Sequence, residues 1–395
     1  MSLVARYGFI IFVFNSVILS IPEMKNIGNT IFFGLMFLFS VYAIVNSSVL
    51  IDVLKSKSFQ FLIIIILINF FYWIIFHDFN DLDAIKYLSA RFIQFLIICV
   101  SILLNYEYFS SKFPKHLAYF IAILVLIGLF INTDFISNRY LGIFWNENAF
   151  ASFTCISFSV FFLQDEKRSN LDNFLMTLLF IISVSTGSRS VVVALILCFL
   201  LKYGLSIRNS LYSIIFTIFY LFIINLQLST SFNRFSAVSL FDDRILQIKY
   251  AFTTFLNKPI FGYGIDKYCY IDMDLVPDLV FGTIISAHNG YLALLVQFGL
   301  IFGGAILFIL FKQSFFILRS YFLSDLKENK FYLFVIIFGF IVSLFETLIT
   351  GINEFHTILF FFSLAMLNYR LHKSNKREFN YAIDNKNLKN FSDEN

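Results

Sequence analysis

The chain has 395 residues, of which 59% are hydrophobic and 14% are charged, and its formal net charge is +4. Soluble globular domains carry about 25% charged residues, so this composition excludes an ordinary soluble fold. The apolar residues form repeated continuous runs long enough to cross a bilayer, which indicates an all-α, polytopic helical membrane protein. An outer-membrane barrel is excluded because its strands alternate apolar and polar residues. The small positive charge does not indicate nucleic acid, and no such partner is expected.

The apolar runs predict about twelve transmembrane helices, near residues 4–21, 28–48, 59–76, 88–104, 117–132, 149–163, 174–186, 190–205, 210–228, 291–311, 331–349 and 355–369. The first run lacks a small-residue cleavage pattern and is predicted to be a membrane span instead of a signal peptide. Helices seven and eight are separated only by residues 186–189, so a re-entrant pair is the alternative there. We expect residues 1–369 to form a single transmembrane domain and the charged, Asn-rich residues 370–395 to be a disordered cytoplasmic tail.

The distribution of Lys and Arg predicts the orientation, because these residues concentrate in cytoplasmic loops. With the N-terminus inside, each predicted inner loop carries at least two of them, and most outer loops carry one or none. The exception is the long polar segment 229–290 between helices nine and ten, and long loops translocate largely regardless of charge. Both termini are therefore expected in the cytoplasm, with segment 229–290 outside.

An amphipathic helix is predicted inside this long loop, beginning at Ser239 and ending at Lys258-Pro259. Its apolar residues recur on one helical face and are expected to lie along the outer membrane interface; they are Ile245, Ile248, Phe252 and Phe255. Arg244 lies near the start of this helix, where the helix dipole disfavours a cation. Either a neighbouring aspartate or a bound anionic ligand is expected to compensate its charge.

Two further features of the loop are candidates for chemistry. The turn from Pro259 to Gly264 contains glycines that let the backbone approach a ligand closely, although no βαβ context supports a dinucleotide site. His288 lies at the start of the tenth helix, where a neutral imidazole can serve as a general base. The alternative for His288 is an interfacial side chain that only hydrogen-bonds the loop.

Arginines occur at two other predicted outer boundaries. Arg189 lies in the short turn between helices seven and eight, and Arg139 precedes helix six, whereas the isolated Arg91 is predicted to snorkel to the interface. Forked guanidinium groups near a general base suit a lipid-linked phosphate or pyrophosphate. No cluster of residues at metal-ligand spacing indicates a metal or cofactor. Glu346, Glu354 and His356 form a polar group near the last outer loop at an unremarkable spacing.

These residues resemble the motifs of the O-antigen polymerase and O-antigen ligase superfamily. His288-Asn289 followed after nine residues by Gly299 resembles the C-terminal signature, although Phe302 stands where the family has a small residue. The remaining matches lie upstream in the expected order: Asn146-Glu147-Asn148, Ser185 to Arg189, and Arg244 with the Pro259–Gly264 turn. Together they cover about residues 140–310.

The resemblance implies an inverting, metal-independent glycosyltransferase whose donor is a glycan on undecaprenyl pyrophosphate at the periplasmic face of the bacterial inner membrane. Arg189 and Arg244 would hold the pyrophosphate and stabilise its leaving-group charge, and His288 would activate or orient the acceptor hydroxyl. We add Arg139 as a third phosphate contact. The remaining expected substrate-binding residues come from the motifs: Asn146, Asn148, Tyr263 and Asn289. Membrane lipid and a chain-length regulator protein are the other expected partners.

Three functions fit this pattern. The high Phe content favours a polymerase of O-antigen or capsular repeat units, whereas a ligase would transfer the glycan to lipid A-core by the same chemistry. A flippase or transporter of lipid-linked glycan also suits twelve helices. It is disfavoured because the chain shows no internal repeat and its polar signals gather on one face.

Overall fold

The structure, a computed structural model, describes residues 2–133, 139–225, 239–277, 286–323 and 329–373, with side chains described except at 219–225, 239–244 and 323. These residues form α-helices, short 3₁₀ turns and loops, with no β-strand among them. The helices are α1 Ser2–Ile18, α2 Lys25–Val45, α3 Ser47–Lys55, α4 Gln60–Phe76, α5 Leu82–Ser111, α6 Phe113–Ile131, α7 Glu147–Leu163, α8 Asn170–Ser185, α9 Arg189–Tyr203, α10 Ile207–Asn225, α11 Ser239–Asn257, α12 Gly290–Leu323, α13 Lys330–Val342 and α14 355–373.

A helix occupies each of the twelve predicted positions, and the all-α prediction is confirmed. The clearest difference is α13, which was predicted to reach residue 349 and instead ends at Val342. Residues 343–354 form consecutive turns at the end of the bundle. The apolar run had predicted that the helix continues to residue 349. Helix α14 continues to residue 373, and residues 374–395 of the predicted tail lie outside the described part of the chain.

The distribution of exposed and buried side chains fits a lipid environment. Phe37 and Ile44 of α2 are 73% and 80% exposed, whereas Asn15 and Gln94 are 1% exposed. This inverts the arrangement of a soluble domain, since a bilayer solvates apolar side chains and requires polar groups to be satisfied inside the protein. Five helical stretches in the described residues are long and apolar enough to cross a membrane: Pro22–Val45, Lys57–Phe76, Leu82–Ser111, Phe113–Ile131 and Gly290–Phe322. Four shorter apolar helices accompany them.

Polar contacts between sequence-distant residues define the two ends of the bundle. At one end Ser2 donates to Asn105 at 2.7 Å, and Lys330 contacts Asp165 at 2.8 Å. At the other end the start of α5 contacts the turns after α13. The first pair of contacts joins segments next to predicted inner loops, and the second joins segments next to predicted outer loops. The two kinds of loop lie at opposite ends of the bundle, as consecutive membrane spans require.

Arg91 makes the contact between α5 and the turns after α13, and the prediction that its side chain snorkels to the interface is wrong. Its side chain is 4% exposed and donates to the Thr350 carbonyl, to Gln94 Oε1 at 2.8 Å and to the Tyr87 hydroxyl at 3.0 Å. A buried guanidinium requires such a set of acceptors. Arg91 therefore holds the turns after α13 against α5.

The helix predicted in the long loop is present as α11, and it ends one residue before Lys258-Pro259. Its buried face carries Gln247, Tyr250, Ala251 and Thr254, while the predicted apolar stripe is divided. Ile245 and Ile248 line a cavity, whereas Phe252 is not part of its lining and is 48% exposed. Tyr250 and Ala251 pack in one apolar cluster with Ala287 and Ala293, so α11 lies against the start of α12.

The glycine turn after α11 pairs with α12 at backbone level. Tyr263 N–H donates to the Val296 carbonyl at 2.9 Å, and Leu300 N–H donates to the Pro259 carbonyl at 2.8 Å. Gly262 and Gly299 meet at this junction with φ of 73° and 70°. A side chain on either would collide with the backbone of the other segment. The glycines were predicted to permit close approach to a ligand, and in the structure they permit close approach of two segments of the protein itself.

Candidate active site

A cavity of about 810 Å³ lies at the end of the bundle where α7, α9 and α14 begin. Its wall is built from short stretches that are distant in sequence: the end of α1, the starts of α7, α9 and α14, the first part of α11, and the turns 343–348. Five of the predicted site residues line it: Arg139, Asn146, Asn148, Arg189 and His288. The structure thus brings together residues that the sequence only placed at the same membrane boundary.

Arg139 is held by three groups at the edge of this cavity. Its Nη1 lies 3.1 Å from Glu147 Oε2, and its Nε donates to the Thr186 carbonyl at 2.8 Å. Its Nη2 donates to Asn148 Oδ1 at 3.0 Å. These contacts fix the plane of the guanidinium, which is the condition for directional recognition of a phosphate.

Two asparagines of the Asn-x-Asn segment have different positions and different roles. Asn146 caps α7, and its Oδ1 accepts from the backbone N–H groups of Asn148 at 2.8 Å and Ala149 at 3.1 Å. Asn148 bridges two charged residues, because it accepts from Arg139 and donates through Nδ2 to Glu346 Oε1 at 3.3 Å. The amide thereby joins a cation and a carboxylate across the cavity wall.

Arg189 is the first residue of α9 and follows a tight turn. Gly187 has φ of 62°, and Thr186 Oγ1 accepts from the Ser188 N–H at 3.3 Å. Ser188 in turn donates to Asn148 Oδ1 at 3.2 Å. The turn therefore sets the start of α9, with its partial positive charge, beside the α7 segment.

His288 has an unusual backbone, since its φ is 39°. This conformation is rare for residues other than glycine, and it persists only where the surroundings enforce it. Its ring is 30% exposed, and Nδ1 lies 3.4 Å from Glu346 Oε2, whose side chain is 24% exposed. A histidine and a carboxylate thus meet at the cavity surface, the arrangement that orients an imidazole for proton transfer.

Glu346 is the residue that sequence reasoning undervalued. It was noted with Glu354 and His356 only as a polar group, because the apolar run 331–349 placed it in the end of a helix. The early end of α13 turns it instead toward His288. An acidic residue at the outer end of an apolar run was the available signal.

The opposite part of the cavity carries uncharged and acidic polar groups. Asn353 Oδ1 and His356 Nε2 are buried and make no hydrogen bond within the described part of the chain. Glu354 accepts a hydrogen bond from the Tyr268 hydroxyl, and burial raises the pKa of its carboxyl above the ordinary value. Polar atoms left without partners in a cavity suit a ligand rich in hydroxyl groups.

Two predicted site residues stand apart from this wall. Tyr263 donates its hydroxyl to Asp272 at 2.8 Å, and Asn289 caps α12 through the Leu292 N–H at 2.9 Å. Neither is among the residues that line the cavity. The side chain of Arg244 lies outside the described residues, and its neighbour Ile245 lines the cavity. These three assignments stay predictions.

One group of described residues has the composition of a metal site: His77, Asp81 and Asp266. Its histidine is already engaged at both ring nitrogens. Nδ1 lies 2.7 Å from Asp81, and Nε2 accepts from the Ile265 N–H at 3.0 Å. This group therefore fastens the glycine turn to the α4–α5 junction, away from the cavity.

Comparison with protein families bears on a region that contributes part of the cavity wall. Residues 174–309, from α8 into α12, match a family model described as O-antigen ligase. This match confirms the resemblance to the O-antigen polymerase and ligase superfamily. No curated protein matches the chain.

The match to this superfamily has coarse functional consequences. Its members are glycosyltransferase-like enzymes that use lipid-linked glycans in a membrane. Together with the apolar helices, the match indicates a multi-pass membrane protein. The matched region contains Arg189 and His288 of the cavity as well as Arg244 of α11.

Proposed function

We propose that this chain is an O-antigen or capsular repeat-unit polymerase. It transfers an undecaprenyl-pyrophosphate-linked glycan to a sugar hydroxyl, with inversion at the anomeric carbon and without a metal. The observation that carries the proposal is the single cavity that joins the His288–Glu346 pair to Arg139 and Arg189. A general base and fixed cations within one cavity are the two requirements of such a transfer.

The donor pyrophosphate would occupy the arginine side of the cavity. Arg139 and Arg189 supply forked donors there, and the starts of α7 and α9 add backbone N–H groups and dipole charge. Arg244 is proposed as a further pyrophosphate contact on the basis of its motif and its neighbour Ile245 in the cavity wall. These groups stabilise the negative charge that develops on the departing pyrophosphate.

The acceptor hydroxyl would approach His288 from the opposite side. His288 takes the hydroxyl proton as the oxygen bonds to the anomeric carbon, and the bond from that carbon to the pyrophosphate oxygen breaks. Asn353 and His356 present unpaired polar atoms in this part of the cavity, where sugar hydroxyls would complete their hydrogen bonds. Undecaprenyl pyrophosphate leaves with the electron pair of the broken bond.

The second candidate function is O-antigen ligation to lipid A-core. The matched family, described as O-antigen ligase, favours it, and the chemistry at His288 would be the same. The two functions differ in the acceptor alone. For either function we propose an inner-membrane location, cytoplasmic termini, a periplasmic cavity within one transmembrane domain, and contact with membrane lipid; a chain-length regulator is the proposed protein partner of the polymerase.

The test uses the host strain with the chromosomal gene deleted, complemented with His288→Ala or Arg244→Ala. His116→Ala is the matched control, because His116 is exposed near the opposite end of the bundle. Lipopolysaccharide gels separate the functions: a lost polymerase leaves core with a single repeat, and a lost ligase leaves bare core with accumulated lipid-linked polymer. A wild-type ladder from both variants at equal expression would overturn the proposal.

A further inference from the structure

We propose that Glu346 is a positioning residue for His288, and that Asn148 connects this pair to Arg139. The inference rests on the proposed function and adds Glu346, which the motifs do not include. It assigns to the turns after α13 a part in the reaction, whereas the sequence placed them in a membrane helix.

The geometry of the carboxylate carries the proposal. Glu346 Oε2 lies 3.4 Å from His288 Nδ1, and Oε1 accepts from Asn148 Nδ2 at 3.3 Å. The two oxygens therefore face different partners, and Asn148 fixes the carboxylate from the side away from the imidazole. His288 Nδ1 is buried and, at this distance from Oε2, makes no hydrogen bond to the described residues. A slight rotation of the ring would bring it into hydrogen-bonding alignment with Oε2.

The backbone on both sides of the pair is joined as well. Gly290 N–H donates to the Ser343 carbonyl at 2.8 Å, and Asn289 Nδ2 donates to the Leu344 carbonyl at 3.0 Å. The residues that follow His288 are thus bonded directly to the residues that precede Glu346. This double connection holds His288 at its positive φ and keeps the two side chains facing each other.

The chemical consequence follows from the two ring nitrogens of histidine. A carboxylate at Nδ1 favours the tautomer with its proton on Nδ1, which leaves Nε2 free to accept a proton from the acceptor. The same carboxylate stabilises the imidazolium that forms in the transfer. Asn148 is bonded to Arg139 and Glu346 together, so the position of the carboxylate depends on the arginine that we assign to the donor.

Other charged groups surround the pair and contribute to any pH profile. They come from the elements packed around the cavity: Arg139 before α7, Glu147 at its start, Arg189 of α9, and Glu354 and His356 at the start of α14. The comparison must therefore be between variants that change the Glu346 charge alone. Glu346→Gln retains the shape and removes the charge, and Glu346→Asp retains the charge at a greater distance.

The experiment uses purified full-length protein in proteoliposomes, with lipid-linked glycan extracted from the deletion strain as substrate. We expect Glu346→Gln to lower kcat by about 100-fold or more, with KM for the donor unchanged within about threefold. The low-pH limb of the kcat–pH profile of Glu346→Gln should move to lower pH, because protonation of the His288 ring becomes less favourable without the carboxylate. Glu346→Asp should recover part of kcat. Asp274→Asn is the matched control, because Asp274 is an exposed carboxylate in the same predicted outer segment, 229–290.

The outcomes distinguish the two proposals. Wild-type kcat and an unmoved low-pH limb in Glu346→Gln, with His288→Gln inactive, would overturn the role of Glu346 and leave the proposed function standing. An active His288→Gln would overturn the proposed function itself. A loss in Glu346→Gln that appears only as a raised KM, or as a lowered melting temperature, would also overturn the positioning role.

Discussion

Arg139 donates to Asn148 at 3.0 Å, and this bond is one of three that hold its guanidinium at the cavity edge. Asn148 belongs to the Asn-x-Asn segment, and its Oδ1 also accepts from Ser188, the residue before Arg189. The three bonds show why an arginine, with several donors in a fixed plane, stands at this position.

Replacing Arg139 by Lys should therefore impair donor binding although the charge is retained. A lysine cannot serve Glu147, Asn148 and the Thr186 carbonyl together, so we expect KM for the lipid-linked donor to rise about tenfold, as for loss of a charged hydrogen bond. Initial rates in proteoliposomes across donor concentrations measure this. Arg168→Lys, at the opposite end of the bundle, is the control. An unchanged KM would show that Arg139 does not contact the donor.

The junction of Gly262 and Gly299 makes a prediction about stability. A Cβ on Gly299 would lie 2.2 Å from the Ile260 carbonyl oxygen, and its φ of 70° is itself strained for alanine. Gly299→Ala should lower stability by at least about 1–3 kcal/mol, read as a lower melting temperature in detergent. Gly304→Ala in the same helix is the control, because the atom nearest to a Cβ at Gly304 would be 3.8 Å away. Equal melting temperatures of the two variants would contradict the observed pairing.

Glu354 gives a pH dependence with a definite sign. Burial raises the pKa of its carboxyl above the ordinary 4.5, so the folded protein holds this proton more tightly than the unfolded chain. The contribution to stability is complete below pH 4.5 and is lost as the pH rises through the folded-state pKa. Glu354→Gln mimics the protonated form. Its melting temperature should exceed that of the wild type by an amount that grows as the pH increases from 4.5 to 8. A difference independent of pH would contradict this.

The proposed topology is tested by labelling engineered cysteines with a membrane-impermeant maleimide in spheroplasts. We expect Asp274→Cys to react and Lys55→Cys to react only after the membrane is opened. Background is low because Cys99, Cys155 and Cys198 are buried and burial raises the pKa of the Cys269 thiol to about 11. The reverse pattern would invert the orientation.

The helices were predictable from sequence because each is a continuous apolar run, and the limits of α11 followed from its cap and Lys258-Pro259. The outer-boundary arginines and His288 were also found, since polar residues are conspicuous between such runs. Their convergence on one cavity was not predictable, because it depends on which helix ends are neighbours.

Glu346 and Arg91 show where sequence reasoning fails for a physical reason. Hydropathy treats the turns after α13 as a further part of a helix, because apolar residues continue past Val342 with Leu344, Phe345, Leu348 and Ile349. Arg91 was taken as a snorkelling side chain, whereas its acceptors come from Thr350 and other residues brought close only by folding. Neither partner could be assigned from a single position in the sequence.

The pairing of the glycine turn with α12 has a consequence for synthesis. The turn at Gly262 leaves the ribosome before the segment at Gly299 that completes its hydrogen bonds. Until α12 has been synthesised, the Tyr263 N–H and the Pro259 carbonyl lack the partners that α12 provides. The cavity wall that α11 contributes is therefore finished late, and a chain that stops before α12 is expected to have all the earlier helices and no working site.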